Sequence, residues 1–181
     1  MRQKPKLSNI HTVAKSKIFR VESMDVEFSN GESRTYERLN PKGKGAVLVI
    51  PMLDNDTVLM IYEFSAGTEC YELGLTKGKI DKGETPIEAA SRELKEEIGY
   101  GANKFTFLKT ITLAPGYQSN TTHIVLAEDL YEEIAEGDEP EPLEIVSHKL
   151  SNLDKLTYDE DLTEARSILA LYMVREIIRN R

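Results

Sequence analysis

Between residues 23 and 28 the side chains alternate. Met24, Val26 and Phe28 fall on one face and Ser23, Asp25 and Glu27 on the other, the two-residue period of a half-buried strand. Asn30-Gly31 then supplies the positive backbone angles of a tight hairpin turn, and Arg34 to Leu39 reads as the returning strand. Asn40-Pro41-Lys42-Gly43 reads as a linker. Beyond it the pattern changes to two unbroken apolar runs, Ala46 to Met52 and Thr57 to Phe64, separated by a turn at Asp54-Asn55-Asp56. Runs of that length fit strands buried on both faces. Phe105 to Ala114, Thr122 to Ala127 and Leu143 to Lys149 are further strands.

Two segments carry helical period. The first opens at Thr85-Pro86-Ile87-Glu88, a capping box with proline at the first helical position, and stops at Gly99. The second is expected from about Asp161 to Ile178, starting at Asp161-x-x-Glu164, with Leu162, Ala165, Leu169, Tyr172, Met173 and Ile177 as its buried stripe. The fold class is α+β: a mixed sheet core with helices packed on it and an N-terminal antiparallel β-hairpin or sheet extension. The expected division is residues 1–43 for the extension and 44–181 for the main domain.

Composition changes this picture little. The 181 residues, 40% hydrophobic and 30% charged, suit a globular chain. The net charge of −8 is local. Of the 31 acidic residues, nine lie in Glu128 to Glu144 with no Lys or Arg, leaving 22 against 23 basic ones elsewhere. No basic stripe exists to grip a duplex, so a nucleic-acid partner is not expected. The longest apolar run, Ala46 to Leu53, is far shorter than a membrane span. The basic start Met1 to Lys6 lacks the apolar stretch of a secretory signal, so a cytoplasmic location is expected. The lone Cys70 rules out an intrachain disulfide and is expected to be a small buried hydrophobe.

The first helix breaks two local rules. Ile87, Ala90, Leu94 and Ile98 form its core face, and Glu93, Glu96 and Glu97 crowd the adjoining wedge. The pairs Glu93/Glu97 and Glu93/Glu96 repel, and all three sit toward the helix end that disfavours anions. A solvated acidic face, with Glu88, Arg92 and Lys95 supplying compensating ion pairs, is one explanation. The other is a divalent cation, because clustered carboxylates are the hard oxygen donors that Mg²⁺ or Mn²⁺ prefers.

Reading outward from that wedge gives Gly78, Glu84 and then Arg92-Glu93-Leu94-x-Glu96-Glu97-x-Gly99-Tyr100. This resembles the box of the Nudix hydrolase family, G-x5-E-x7-R-E-U-x-E-E-x-G-U, at every charged and glycine position; Tyr100 stands where an aliphatic is usual. The resemblance implies a Nudix fold and hydrolysis of nucleoside diphosphates linked to another moiety, with bound Mg²⁺ or Mn²⁺. It implies Glu93 and Glu97 as principal metal ligands, Glu96 as a further ligand or metal-water partner, and the Lys77 carbonyl as another donor. Glu84 and Arg92 are expected to pair and fix the loop to the helix.

Pro115, sixteen residues after Gly99, occupies an offset associated with the ADP-ribose pyrophosphatase branch of the family. Phe28-Ser29-Asn30-Gly31, Tyr36-Glu37-Arg38 and Gly137-Asp138-Glu139-Pro140-Glu141-Pro142 are similar to hydrolases of ADP compounds in that branch. The resemblance implies ADP-ribose, NADH and short diadenosine polyphosphates as substrates, AMP as product, and a homodimer built on the N-terminal sheet. The Leu75-Thr76-Lys77 stretch replaces the Pro-Ala common before the box glycine of ADP-ribose enzymes, which favours the broader substrate range. The general base is expected in the acidic loop, at Glu139 or else at Glu141. For the adenosine, aromatic faces and arginines are the expected contacts: Tyr36 and Arg38 first, then Phe19, Arg20, Tyr62, Pro115 and Tyr117. His11, His123 and His148 are scattered and read as ordinary histidines.

Two other readings stay open. One is a Nudix hydrolase of other nucleotides, which Pro115 and the N-terminal extension speak against. The other is a sensor of this fold that binds ADP-ribose or NAD without cleaving it, which the intact box glutamates speak against.

Overall fold

The computed structural model of the chain describes residues 3–40, 43 and 45–181. Pro41 and Lys42 of the expected linker lie outside the described residues. The chain divides into two compact units, Met1–Gly43 with Thr112–Thr121, and Lys44–Ile111 with Thr122–Arg181.

The first unit contains a three-stranded antiparallel sheet, β1 (Lys6–Lys15), β2 (Arg20–Glu27) and β3 (Ser33–Leu39), in the order β1-β2-β3. The expected antiparallel hairpin or sheet extension is this sheet, in which β1 adds a third strand to the β2–β3 hairpin. β1 shows no clean alternation because its register slips twice, between Ser8 and His11 and between Thr12 and Ala14, with Asn9 at φ 51°. A turn does form at Asn30-Gly31, but only Gly31 takes the expected positive angle, φ 84°, with its N–H on the Phe28 carbonyl; Asn30 does not. Leu39 also bridges to Gln118, so the 112–121 segment adds to this unit.

The second unit holds two sheets: β10 (Glu144–Lys149), β5 (Thr57–Ser65) and β6 (Cys70–Gly74) in one, and β7 (Lys77–Lys79), β4 (Ala46–Pro51), β9 (Thr121–Glu132) and β8 (Tyr100–Thr112) in the other. β4 and β9 run parallel and the remaining described ladders antiparallel. Two core clusters explain the unbroken apolar runs. Val47 and Val49 of β4, Leu59 and Ile61 of β5 and Val125 of β9 join Ala89, Ala90 and Leu94 of helix α1 (Pro86–Glu97). Their neighbours Leu48, Ile50, Val58, Met60, Ile124 and Leu126 face the other way, onto Leu153 and Leu156 of α2 (Leu153–Leu156) and Ala170, Leu171 and Val174 of α3 (Ala165–Arg179). Each strand is buried on both faces, so apolar side chains fill successive positions.

Three expectations are corrected here. The second long helix starts at Ala165 and not at Asp161: Glu164 is its N-cap, accepting from the N–H groups of Arg166 (3.1 Å) and Ser167 (2.9 Å). Its buried residues are Ser167, Ala170, Leu171 and Val174, whereas Leu169 is exposed. The polar member of that stripe is satisfied internally, since the Ser167 hydroxyl donates to Glu164 and accepts from the Leu75 N–H. Cys70 is exposed, because it opens β6 at the rim of its sheet rather than in its middle. No helix among the described residues is long and apolar enough to cross a membrane.

Candidate active site

The geometry of α1 begins at its cap. The Thr85 hydroxyl accepts from the Glu88 N–H (3.2 Å) while the Glu88 carboxylate accepts from the Thr85 N–H (2.8 Å), with Pro86 at the first turn. Gly99, at φ 73°, lets the chain leave the last turn. Burial of Ala89, Ala90 and Leu94 fixes the rotation of the helix. Arg92, Glu93, Glu96 and Glu97 are thereby held along one seam beside β7 and the 133–143 loop.

Arg92 is the hub of that seam. It donates to both oxygens of Glu84 (Nε 2.8 Å, Nη2 3.1 Å), to the Lys79 carbonyl (2.9 Å), to Glu93 (2.7 Å) and to Glu96 (3.0 Å). These bonds hold its guanidinium firmly protonated. Glu84 also accepts from the Asp81 N–H (2.8 Å), tying the loop before the helix to the helix itself. Lys95 turns away and pairs with Glu133 (2.9 Å), so it does not compensate the acidic wedge.

Glu93 is buried, and a methyl group on Gly78 would overlap its carboxyl; the glycine is a cradle for that side chain. Burial raises the pKa of Glu93 against the opposing pull of Arg92. Glu97 is more extreme. Burial, with Glu93 and Glu63 nearby, pushes it up to about 9, and the Lys77 N–H donates to it at 3.3 Å. The Lys77 ammonium pairs with Glu63 on β5. Glu63 is a site residue that motif reading passed over; its signal was an acid inside the apolar run Thr57 to Phe64.

Among the described residues, no three metal-ligating side chains are arranged around a common point. Glu93 and Glu96 are turned onto Arg92 instead. The donor set nevertheless suits a hard cation. Glu97 is a largely buried carboxyl that Lys77 only partly offsets, and Gly78 leaves open the backbone face against which Glu93 lies.

The acidic loop crosses the C-terminal end of α1. The Ala135 N–H donates to the Lys95 carbonyl (3.1 Å), and a Cβ on Gly137 would sit 3.3 Å from the Glu96 Cβ. Glu139, Glu141, Glu96 and Glu97 line one cleft of about 460 Å³. Burial raises the pKa of Glu139, with Glu63 and Asp138 adding repulsion. Glu141 differs, accepting a 2.6 Å hydrogen bond from the Tyr71 hydroxyl.

The adenosine candidates divide. Tyr36, Arg38, Pro115 and Tyr117 line one cavity of about 370 Å³ in the N-terminal unit. Phe19 and Arg20 line a separate one of about 140 Å³. Arg20 and Arg38 meet at Glu22, only 7% exposed, to which Arg38 gives two bonds (3.0 and 2.9 Å) and Arg20 one contact (3.1 Å). Tyr62 lines neither cavity; it belongs to β5, with its hydroxyl 3.4 Å from Asp161.

Against known families, residues 5–38 match the NudE-type Nudix hydrolase N-terminal domain and residues 43–172 the NUDIX domain. The chain is 51% identical over 179 residues to the ADP compounds hydrolase NudE of Escherichia coli (strain K12), covering 99% of this chain and 96% of the relative. It is 34% identical over 167 residues to an ADP-ribose pyrophosphatase of Bacillus subtilis (strain 168), covering 88% and 89%. Among solved structures, that of an ADP compounds hydrolase superposes with a TM-score of 0.92 at 50% identity, covering 99% of this chain and 97% of the other.

Proposed function

The chain belongs to the NUDIX family, and from that premise we propose that it hydrolyses the pyrophosphate bond of ADP-linked compounds, ADP-ribose, NADH and short diadenosine polyphosphates among them, and releases AMP. The observation that carries this reading is the meeting of the box carboxylates Glu96 and Glu97 with Glu139 in one cleft. It occurs in a chain alike over almost its whole length to a protein named for ADP compounds.

In this reading Glu93, Glu96 and Glu97, with the Lys77 carbonyl, would hold Mg²⁺ or Mn²⁺, which would supply positive charge to the phosphate oxygens and acidify the attacking water. Glu139 takes the proton of the attacking water; burial raises its pKa, which makes its carboxylate a stronger base than an exposed one. Arg92 and Glu84 keep the helix and its loop in register. The N-terminal unit takes the adenosine, with Tyr36, Arg38, Pro115 and Tyr117 around it. Arg38 acts there from a fixed position, because Glu22 holds its guanidinium. Exposed apolar residues of the same unit, Leu7, Ile10 and Val13, support a homodimer that covers them. The place of action is the cytoplasm, and neither nucleic acid nor membrane enters the reading.

Product analysis tests this. The purified protein with Mg²⁺ is given ADP-ribose, NADH and diadenosine triphosphate in turn. AMP from all three is expected, and none with EDTA. Absence of AMP from every substrate would overturn the reading, and binding without turnover would favour a sensor.

A further inference from the structure

The 133–143 loop is anchored at both ends, and its second anchor belongs to neither the box nor the loop. At the near end, Ala135 and Glu133 are tied to Lys95 of α1. At the far end the loop enters β10, where Glu144 pairs with Tyr62 of β5. Three residues before that point, Glu141 receives the Tyr71 hydroxyl at 2.6 Å, across 70 residues of sequence. Tyr71 is itself placed by a neighbour. It pairs across the strands with Phe64, and the two rings meet edge to face with centroids 5.6 Å apart. The two-residue period of β5 puts Phe64 and Tyr62 on one face and Glu63 on the other. Glu139 lines the cleft with Glu96 and Glu97, whereas the hydroxyl of Tyr71 holds Glu141. Pro140 stands between them and limits how far the chain can turn.

Resting on the reading of Glu139 as the base, we propose that Tyr71 is a positioning residue: its hydrogen bond to Glu141 latches the loop and thereby sets Glu139 over the cleft. Glu141 is then the catch of the latch rather than a second base. A base displaced by a fraction of an ångström loses its water, which lowers turnover more than binding.

Tyr71→Phe keeps the ring and its contact with Phe64 but removes the donor. Its kcat for ADP-ribose is expected to fall about tenfold, with KM within about twofold. Glu141→Gln, which still accepts from Tyr71, should keep the parent's rate of amide exchange at residues 136–139, and Glu141→Ala should match Tyr71→Phe in that exchange and in kcat. The double variant Tyr71→Phe/Glu141→Ala should be no slower than either single one, because both remove the same bond. A Tyr71→Phe enzyme as fast as the parent, or losses that multiply in the double variant, would overturn the proposal. A second measurement does not need turnover. Amide exchange at residues 136–139 should quicken in Tyr71→Phe, and unchanged exchange sinks the latch. If the parent released no AMP, the functional reading would fall while exchange still decided the latch.

Discussion

Arg92 grips Glu84 at two points, Nε to Oε1 at 2.8 Å and Nη2 to Oε2 at 3.1 Å, while its third nitrogen reaches Glu93 and Glu96. One guanidinium thus joins the loop before α1 to two turns of the helix. Lysine offers a single point charge and cannot span these partners. Arg92→Lys is expected to lower stability by about 1–2 kcal/mol. It should also cut kcat/KM by about tenfold or more, since the carboxylates lose their common anchor. Urea unfolding and steady-state kinetics on the same preparation check both.

Gly78 is required for space. Alanine there would strike the Glu93 carboxyl, which Arg92 holds from the other side. Relief demands that Glu93 swing or that β7 retreat from α1. Gly78→Ala should therefore cost about 1–3 kcal/mol, the usual penalty of overpacking. Weakened Mn²⁺ binding, read by titration calorimetry with nucleotide present, should accompany it.

Glu97 sets function against stability. Its carboxyl is mostly buried, and Glu93 and Glu63 add repulsion. The amide of Glu97→Gln has nearly the same shape and no charge to desolvate. The metal-free variant is expected to melt at or above the parent's temperature. Added Mn²⁺ should then raise the parent's melting point and leave the variant's almost unmoved, with turnover lost. Calorimetric scans of parent and variant, each with and without the ion, read all four states.

What the sequence disclosed followed the range of the interaction. The α1 cap is made by Thr85 and Glu88, three residues apart, and was legible with its stop at Gly99. The double-sided burial of β4 was visible as an apolar run. β1 was hidden because its bulges destroy the alternation that marks a strand. The face of α3 was misjudged because Ser167 is buried through partners at Leu75 and Glu164, the first of them 92 residues away. The same limit applies at the site. The box glutamates declared themselves by mutual repulsion on one helix, but Glu63 and Tyr71 act on residues of other elements, Lys77 in the other sheet and Glu141 in the loop before β10, brought near only by the tertiary fold.

Glu128 predicts an acid-side loss of stability. Arg181, and after it Lys104 at 2.7 Å, hold its carboxyl down at about 2. The folded pKa lies below the ordinary 4.5, so the stabilisation is complete above pH 4.5 and is lost as pH falls through the folded value. Glu128→Gln should be less stable than the parent at pH 6, with the gap closing between pH 4.5 and 2. Denaturant midpoints across that range check it, and a constant gap would contradict it.

Tyr117 offers a test of the N-terminal unit that leaves its salt bridges intact. Its side chain is exposed at the cavity shared with Tyr36, Arg38 and Pro115, while its backbone N–H is tied to Ala114 and its carbonyl to Leu39. Removing the ring should leave that backbone path unchanged, unlike Arg38→Ala, which strips two bonds from buried Glu22. If adenine lies against the Tyr117 ring, Tyr117→Ala should raise KM for ADP-ribose about tenfold, as stacking losses do, and leave kcat near the parent value. Tyr117→Phe keeps a π-face and should restore most of the affinity. An unchanged KM in both variants would move the adenosine out of this cavity, with the box chemistry unaffected.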